Sequence, residues 1–172
     1  MQASKKILIT TVGILLAILV SSLLVLRKDL NGIIEAQAKA NPLISVPVES
    51  FQVIQLNGNW KVQIRQGRTH QVEMAFDPNS SYIPQLESRG DTLFFSITGD
   101  STSTVEAKIV SPYIHAIQAY NGANIRLKKF ELDSLTILLN DSHLIGEENK
   151  LLYTSYVTSG DSKLEFMDDP FK

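Results

Sequence analysis

The sequence predicts an all-β domain, built as a β-solenoid-like stack with a β-hairpin-rich N-terminal part and preceded by one transmembrane helix. Three observations predict it. Ile7–Leu26 carries no charge, apolar residues alternate with polar ones from Phe51 onward, and a short motif recurs at intervals of 19 and 20 residues. The predicted segments are a short tail (1–6), a membrane anchor (7–26), a juxtamembrane stalk (27–47) and a β domain (48–172).

Charge and composition exclude several classes of function. The 172 residues include no cysteine, which excludes disulfides, zinc-thiolate sites and a thiol nucleophile. The formal charge of −2 is uneven: residues 1–40 carry five basic and two acidic side chains, whereas residues 41–172 carry 11 basic and 16 acidic ones. The first part is therefore at +3 and the second at −5. Because affinity for nucleic acid depends on basic surface, no nucleic-acid partner is expected.

The uncharged stretch Ile7–Leu26 has the length of a membrane span. Twenty residues of helix extend about 30 Å, the thickness of the hydrocarbon core of a bilayer. A cleaved secretory signal is one alternative, but its apolar region is shorter and Arg27-Lys28-Asp29 precede the nearest small-residue cleavage sites, Ala36-Gln37-Ala38 and Ala38-Lys39-Ala40. A buried core helix is the other. The preferred interpretation is a retained anchor, with the membrane as a partner through residues 7–26.

The orientation of this anchor follows from what flanks it. Two basic residues lie close to each end, so the positive-inside comparison is a tie. The short N-terminal tail and the strand-rich C-terminal region favour a single-pass protein whose C-terminal domain is extracytoplasmic, in the periplasm or on the cell surface. Pro42 and Pro47 end any helix that continues from the membrane, and this predicts the stalk.

The strands are read from period-two alternation and turn residues. Trp60, Val62 and Ile64 alternate with polar residues and predict a half-buried strand. Asn57-Gly58 before it is the dipeptide most typical of a hairpin. Three further segments alternate in the same way, namely Val72/Met74/Phe76, Leu93/Phe95/Ile97 after Gly90-Asp91, and Val105/Ala107/Ile109 before Pro112.

The recurring motif predicts coils stacked one on another. Asn121-Gly122-Ala123-Asn124-Ile125 aligns with Asn140-Asp141-Ser142-His143-Leu144 and with Gly160-Asp161-Ser162-Lys163-Leu164. A period near 20 residues in an all-β chain is typical of a solenoid, in which equivalent residues lie about 4.8 Å apart. The small third residues are expected at a corner, the aliphatic fifth residues in a core column, and Asn121 and Asn140 in an amide ladder. A β-sandwich is the alternative.

These features resemble the head GIN domain family, whose description is "putative auto-transporter adhesin" and which is common in bacterial cell envelopes. The resemblance covers residues 48–166 and rests on "VESFQVIQLNGNWKVQIRQG", Gly90-Asp91-Thr92-Leu93, Pro112 and the "NGANI" copies. It implies a right-handed β-solenoid with a β-rich N-terminal part, exported from the cytoplasm. Asn121 and Asn140 replace the family's usual first glycine, which only Gly160 retains, and the chain is shorter by a coil or more than typical members.

Candidate chemistry is sparse. His70, His115 and His143 match no metal motif, and Ser162 in "TSGDSKL" lacks the G-x-S-x-G elbow and a histidine partner. Asp141 and Asp161 are equivalent in the repeat, so they form either a weak cation site or, as preferred, a solvated face. Four tyrosines suit either contacts with sugar or protein, or capping of the core: Tyr113, Tyr120, Tyr153 and Tyr156. No catalytic, cofactor-binding or metal residue is assigned, no cofactor is expected, and the ligand-binding residues stay unknown.

The expected function is binding, adhesion or scaffolding at the cell envelope without catalysis, with an envelope protein or glycan as partner. A polysaccharide-active enzyme of the envelope and a membrane-bound sensor are the alternatives. A solenoid ends in an unpaired rung, which proteins either protect or use. Asp168, Asp169 and Pro170 follow the last repeat and either discourage edge pairing or border a contact site.

Overall fold

The computed structural model describes residues 43–75, 81–99 and 103–167, and its regular elements are all strands. No helix in these ranges is long and apolar enough to cross a membrane. The predicted anchor 7–26 lies outside the described residues, as do Phe76 and the acidic C-terminal segment. The strands are β1 (Leu43–Val46), β2 (Val53–Asn57), β3 (Trp60–Gln66), β4 (Gln71–Ala75), β5 (Tyr82–Arg89), β6 (Thr92–Gly99), β7 (Val105–Ser111), β8 (Ala116–Tyr120), β9 (Asn124–Lys128), β10 (Glu131–Asn140), β11 (His143–Glu147), β12 (Lys150–Ser159) and β13 (Lys163–Met167).

Two mixed, open sheets contain these strands, which confirms the all-β prediction. The seven-stranded sheet has the order β1-β4-β7-β3-β9-β11-β13, and the six-stranded sheet has the order β12-β10-β8-β2-β6-β5. Of the described strand pairs, three are antiparallel, namely β1–β4, β4–β7 and β5–β6. The other pairs are parallel. The antiparallel pairings all involve the N-terminal half, where the sequence predicts hairpins.

Successive strands alternate between the two sheets. In β2–β3, β6–β7, β8–β9, β10–β11 and β12–β13, the first strand belongs to the six-stranded sheet and the second to the seven-stranded sheet. Each of these strand pairs is called a coil below. Within both sheets the coils are stacked in parallel in the order β6–β7, β2–β3, β8–β9, β10–β11, β12–β13. The inward side chains of the coils form one hydrophobic core.

The aliphatic column predicted from the repeat is confirmed. Leu144 pairs with Ile125 on one side and with Leu164 on the other. Ile125 and Leu144 are buried, while Leu164 is half-buried. The alternation in β3 and β7 is confirmed as well, since Trp60, Val62, Ile64, Val105, Ala107 and Ile109 are all buried core residues.

The first position of the repeat is aligned differently in the structure. Asn140 pairs with Tyr120 at the end of a strand, not with Asn121. The residues equivalent to Asn121 (φ 60°) are Asp141 (φ 49°) and Gly160 (φ 63°), each left-handed at a coil corner. Asn, Asp and Gly tolerate this conformation best, which explains why small polar residues interrupt the strands. The predicted amide ladder does not form, because the Asn121 Nδ2 donates to Asn57 Oδ1 at 2.7 Å.

The hairpin predicted at Asn57-Gly58 is wrong. The strands on either side, β2 and β3, belong to different sheets, so this dipeptide forms a corner of a coil. Gly58 has φ 109° and its N–H donates to the Tyr120 carbonyl at 3.0 Å. A corner and a type I′ hairpin both need positive φ, and the dipeptide alone does not distinguish them. The true hairpin is β5–β6, which turns at Gly90.

The β domain also begins earlier than residue 48. Leu43–Val46, part of the predicted stalk, forms β1 and pairs antiparallel with β4. The two prolines at 42 and 47 bracket this strand, because proline is tolerated at strand ends but not within the hydrogen-bonded ladder.

Candidate functional site: a polar groove on the seven-stranded sheet

The outer face of the seven-stranded sheet carries a groove of about 640 Å³. It crosses four parallel strands, β7, β3, β9 and β11, whose inward residues belong to the core. Because side chains alternate along a strand and the strands are in register, the outward residues form rows across the sheet. We call this surface the polar groove, defined by a first row of Glu106, Lys61, Asn124 and His143 and a second row of Lys108, Gln63, Arg126 and Ile145.

The polar groove is more basic than the domain around it. Its lining contains three cationic side chains and one carboxylate, a balance of +2 that becomes +1 when Glu147, the partner of Arg126, is counted, while residues 41–172 sum to −5. Lys61 Nζ is 2.7 Å from Glu106 Oε1, and Arg126 Nε is 3.1 Å from Glu147 Oε1. Within the described ranges Lys108 and Gln63 have no such partner. A concave basic surface on an acidic domain attracts anions.

His143 leaves a hydrogen-bonding atom unused in this groove. Its ring is half-buried beside Asn124, and its Nδ1 is buried without a hydrogen-bond partner in the part of the chain that the structure describes. Buried polar atoms are paired in the great majority of cases, so an orphaned one calls for an explanation. The outward direction predicted for His143 by alternation with Ser142 is confirmed, since Ser142 is fully buried.

His70 lies elsewhere, in a small cluster with Ser111. The ring contacts Phe51 edge-on at 4.6 Å between centroids, and Nδ1 is 3.3 Å from Ser111 Oγ. The Ser111 hydroxyl donates to the Tyr113 carbonyl at 2.7 Å. The Ser111 Oγ therefore accepts a hydrogen bond from His70 Nδ1, so the neutral imidazole carries its proton on Nδ1. Burial lowers the pKa of His70, because desolvation disfavours the imidazolium.

The lowered pKa of His70 predicts that acid destabilises the domain. Below the ordinary histidine pKa of about 6.5 the unfolded chain binds a proton that the folded chain does not. Stability is thus complete above this pH and falls as the pH decreases towards the folded-state pKa. We expect His70→Gln to reduce the slope of unfolding free energy against pH in this window, measured by urea denaturation. An unaltered slope in His70→Gln would assign the effect to other groups.

The remaining sequence candidates occupy structural positions. Asp141 Oδ1 accepts the Asp161 N–H at 2.9 Å, which closes the next corner. Ser162 Oγ donates to the Ser159 carbonyl at 2.6 Å and accepts the Ser142 N–H at 3.2 Å. The three histidines are not brought together. In residues 43–75, 81–99 and 103–167 no group of three His, Cys, Asp or Glu side chains could hold a metal ion.

The four tyrosines do not line the polar groove. Tyr113 borders a separate cavity with His70 and Asp91, and Tyr120 is half-buried. Tyr153 and Tyr156 lie on β12, with 70% and 62% of their surface exposed. The residues that do form the groove were missed from the sequence. Their one signal is that Lys61, Gln63, Lys108 and Arg126 fall on the polar positions of alternating strands.

Comparison with known proteins gives structural neighbours only. No protein-family model matches the chain, and neither does any curated protein. A "putative adhesin" from Parabacteroides distasonis superposes with a TM-score of 0.53 at 14% identity, over 73% of this chain and 57% of that one. A "putative lipid binding protein" from the same species (TM-score 0.48, 10% identity, 76% and 68% coverage) and a "putative adhesin" from Bacteroides fragilis (0.40, 11%, 75% and 98%) are also similar. At 14% identity and a TM-score of 0.53, the first neighbour shows a shared fold. The other two have TM-scores below 0.5 and support no conclusion about this chain.

Proposed function

We propose that this chain is a non-catalytic binding domain of the cell envelope, acting in adhesion or scaffolding, and that it binds through the polar groove. The observation that carries the proposal is the groove itself, in which Lys108 and Gln63 have no ion-pair or hydrogen-bond partner among the described residues. The name "putative adhesin" of the Parabacteroides distasonis neighbour supports a binding role. The ligand class that fits the charge is an acidic polymer, such as an envelope glycan bearing carboxylates.

The arrangement of Ser111 and His70 does not fit a nucleophile and its base. A nucleophilic serine needs a base that removes its proton and a path for substrate. Ser111 is fully buried, and its proton is directed to the Tyr113 carbonyl, not to His70. This is the geometry of a structural hydrogen bond, so the alternative of a polysaccharide-active enzyme gains no support from this serine–histidine pair.

The finer description of the fold and location belongs to the same proposal. Five coils stacked in parallel, the last three of them at the 19- and 20-residue offsets of the repeat, together with the resemblance to the head GIN domain, support a right-handed β-solenoid. The uncharged Ile7–Leu26 supports a single-pass anchor with the β domain outside the cytoplasmic membrane. Ser88→Cys, an exposed position in a chain without cysteine, would react with an impermeant maleimide before cell lysis, either in intact cells or once the outer permeability barrier alone is opened. Reaction only after lysis would refute the extracytoplasmic location.

Charge reversal in the polar groove tests the binding proposal. With polygalacturonate as probe and neutral dextran as reference, we expect wild-type chain to bind the acidic polymer and Lys108→Glu or Arg126→Glu to weaken this binding about tenfold each, equivalent to about 1.4 kcal/mol. Isothermal titration calorimetry at low salt provides the measurement, because screening weakens such contacts.

The matched control for net charge is Lys129→Glu, which makes the same change at a corner outside the groove. Equal weakening by Lys129→Glu would mean that net charge, not the groove, attracts the polymer. Wild-type chain that binds dextran as well as polygalacturonate would refute an anion-binding groove.

A further inference from the structure

The last coil, β12–β13, carries most of the exposed large apolar side chains of the described residues. Nine large hydrophobic residues of the described chain are exposed, and six of them belong to this coil: Leu152, Tyr153, Tyr156, Val157, Phe166 and Met167. Tyr156 is 62% exposed, yet its partner Ile137 in the preceding coil is fully buried. A concentration of exposed apolar side chains on one coil indicates an interaction site.

The backbone edges of this coil are free as well. Among the described residues, strand β12 pairs with β10 alone and β13 with β11 alone, so each ends its sheet. The Ser159 carbonyl accepts the Asp141 N–H from the β10 side. Since successive residues of a strand point to opposite sides, the N–H groups of Thr154, Tyr156 and Thr158 face the open edge. Strand β12 has ten residues, no proline and a single charge, Lys150, and so lacks the usual protection of an edge.

The opposite end of the stack is protected. In the six-stranded sheet it ends in β5, which contains Pro84 and exposed Glu87 and Arg89. In the seven-stranded sheet it ends in β1, four residues long and bracketed by prolines. Short strands, prolines and charges are the devices that prevent edge pairing. Head-to-tail stacking of two copies is thus disfavoured, and the last coil is the one end left for pairing.

We propose that the last coil is the interface of a two-fold homodimer, in which β12 pairs with β12 of a second copy and β13 with β13. A single extended peptide would cover one edge, whereas the last coil of a second copy presents two edges at the same separation. Two-fold symmetry makes both pairings antiparallel. It also places each strand against one of its own length, and it buries Tyr156 and Phe166 between the copies.

The proposal is tested with the full chain in mild detergent by sedimentation velocity, from low micromolar to near-millimolar concentration. We expect wild-type chain to dimerise as concentration rises. Thr158→Pro removes an N–H that faces the open edge and spares the ladder to β10, so it should give a monomer, whereas the matched control Thr158→Val should dimerise. Val157→Lys, which brings like charges together, should also give a monomer. Circular dichroism checks that each variant is folded.

Cross-linking locates the contact. Because the chain has no cysteine, a disulfide-linked dimer of Ser155→Cys reports on β12 alone. We expect oxidation to link this variant but not Ser88→Cys on β5. A wild-type chain that stays monomeric at every concentration overturns the proposal. This holds even if the monomer binds a peptide of the β12 sequence, because such binding would assign the edge to a strand of another protein. A dimer that survives both Thr158→Pro and Val157→Lys overturns it too, since the contact then lies elsewhere.

Discussion

Replacing Trp60 by alanine is expected to destabilise the domain by about 3–5 kcal/mol, the usual cost of removing a buried aromatic side chain. Trp60 is fully buried, packs edge-on against Phe95 at 5.3 Å between ring centroids, and donates from Nε1 to the Asn57 carbonyl at 3.1 Å. The substitution removes contacts with both sheets at once, because β3 and β6 lie in different sheets. Domains of this size are stable by only about 5–15 kcal/mol, so a large share of the stability is lost.

The measurement is urea denaturation followed by far-ultraviolet circular dichroism, since Trp60 is the sole tryptophan and its fluorescence disappears with it. Phe94→Ala is the matched control. This aromatic is the neighbour of Phe95 but points outward, where Arg89 lies 5.4 Å from the ring centroid, so we expect a cost of about 1 kcal/mol. Equal midpoints for the two variants would show that Trp60 does not hold the sheets together.

The faces of the strands could be predicted because they depend on local alternation. The inward residues of β3 and β7 follow from a period of two, and so does the column of Ile125, Leu144 and Leu164. The third and fifth positions of the repeat are aligned correctly for the same reason, since both face the core. The predicted alignment of the first position is wrong because this position lies at the corner, where the three copies differ in length by one residue.

Strand partners could not be predicted in the same way. Asn57-Gly58 supplies positive φ, which serves a hairpin and a corner equally well, and only the partners of β2 and β3 decide between them. The chain order is also a poor guide to the stack, since β2–β3 lies between β6–β7 and β8–β9. Four residues of the predicted stalk form β1 because β4 offers them an edge, where Leu43 pairs with Ala75 and Val46 with Val72.

The candidate site depends on these non-local pairings. Lys61 and Glu106 are 45 residues apart in sequence and form an ion pair because β3 and β7 are neighbours. Lys108 enters the second row through the same pairing. Likewise, β12 is exposed because no coil follows it within the described residues. A polar groove and an open end both arise from which strand lies next to which.

The column of aliphatic residues provides the second large effect. Leu144 is fully buried between Ile125 and Leu164, so Leu144→Ala should cost about 2–5 kcal/mol in unfolding free energy. Leu164→Ala makes the same change one coil further on, where the side chain is half-buried at the end of the stack. Here no enclosed cavity forms, and we expect about 1 kcal/mol in dilute solution. Urea denaturation of both variants at low protein concentration gives the comparison.

The concentration dependence of this pair connects stability with the proposed dimer. If the last coil meets a second copy, Leu164 becomes buried in the dimer, and Leu164→Ala should become more costly as protein concentration rises. Leu144 is already enclosed within one chain. The unfolding free energy lost in Leu144→Ala should therefore be the same in the Thr158→Pro background, where β12 stays unpaired, as in wild type. If both substitutions lower the unfolding free energy equally at low protein concentration, Leu164 is enclosed without a partner. If the loss caused by Leu164→Ala does not change with protein concentration, the dimer contact lies away from the last coil.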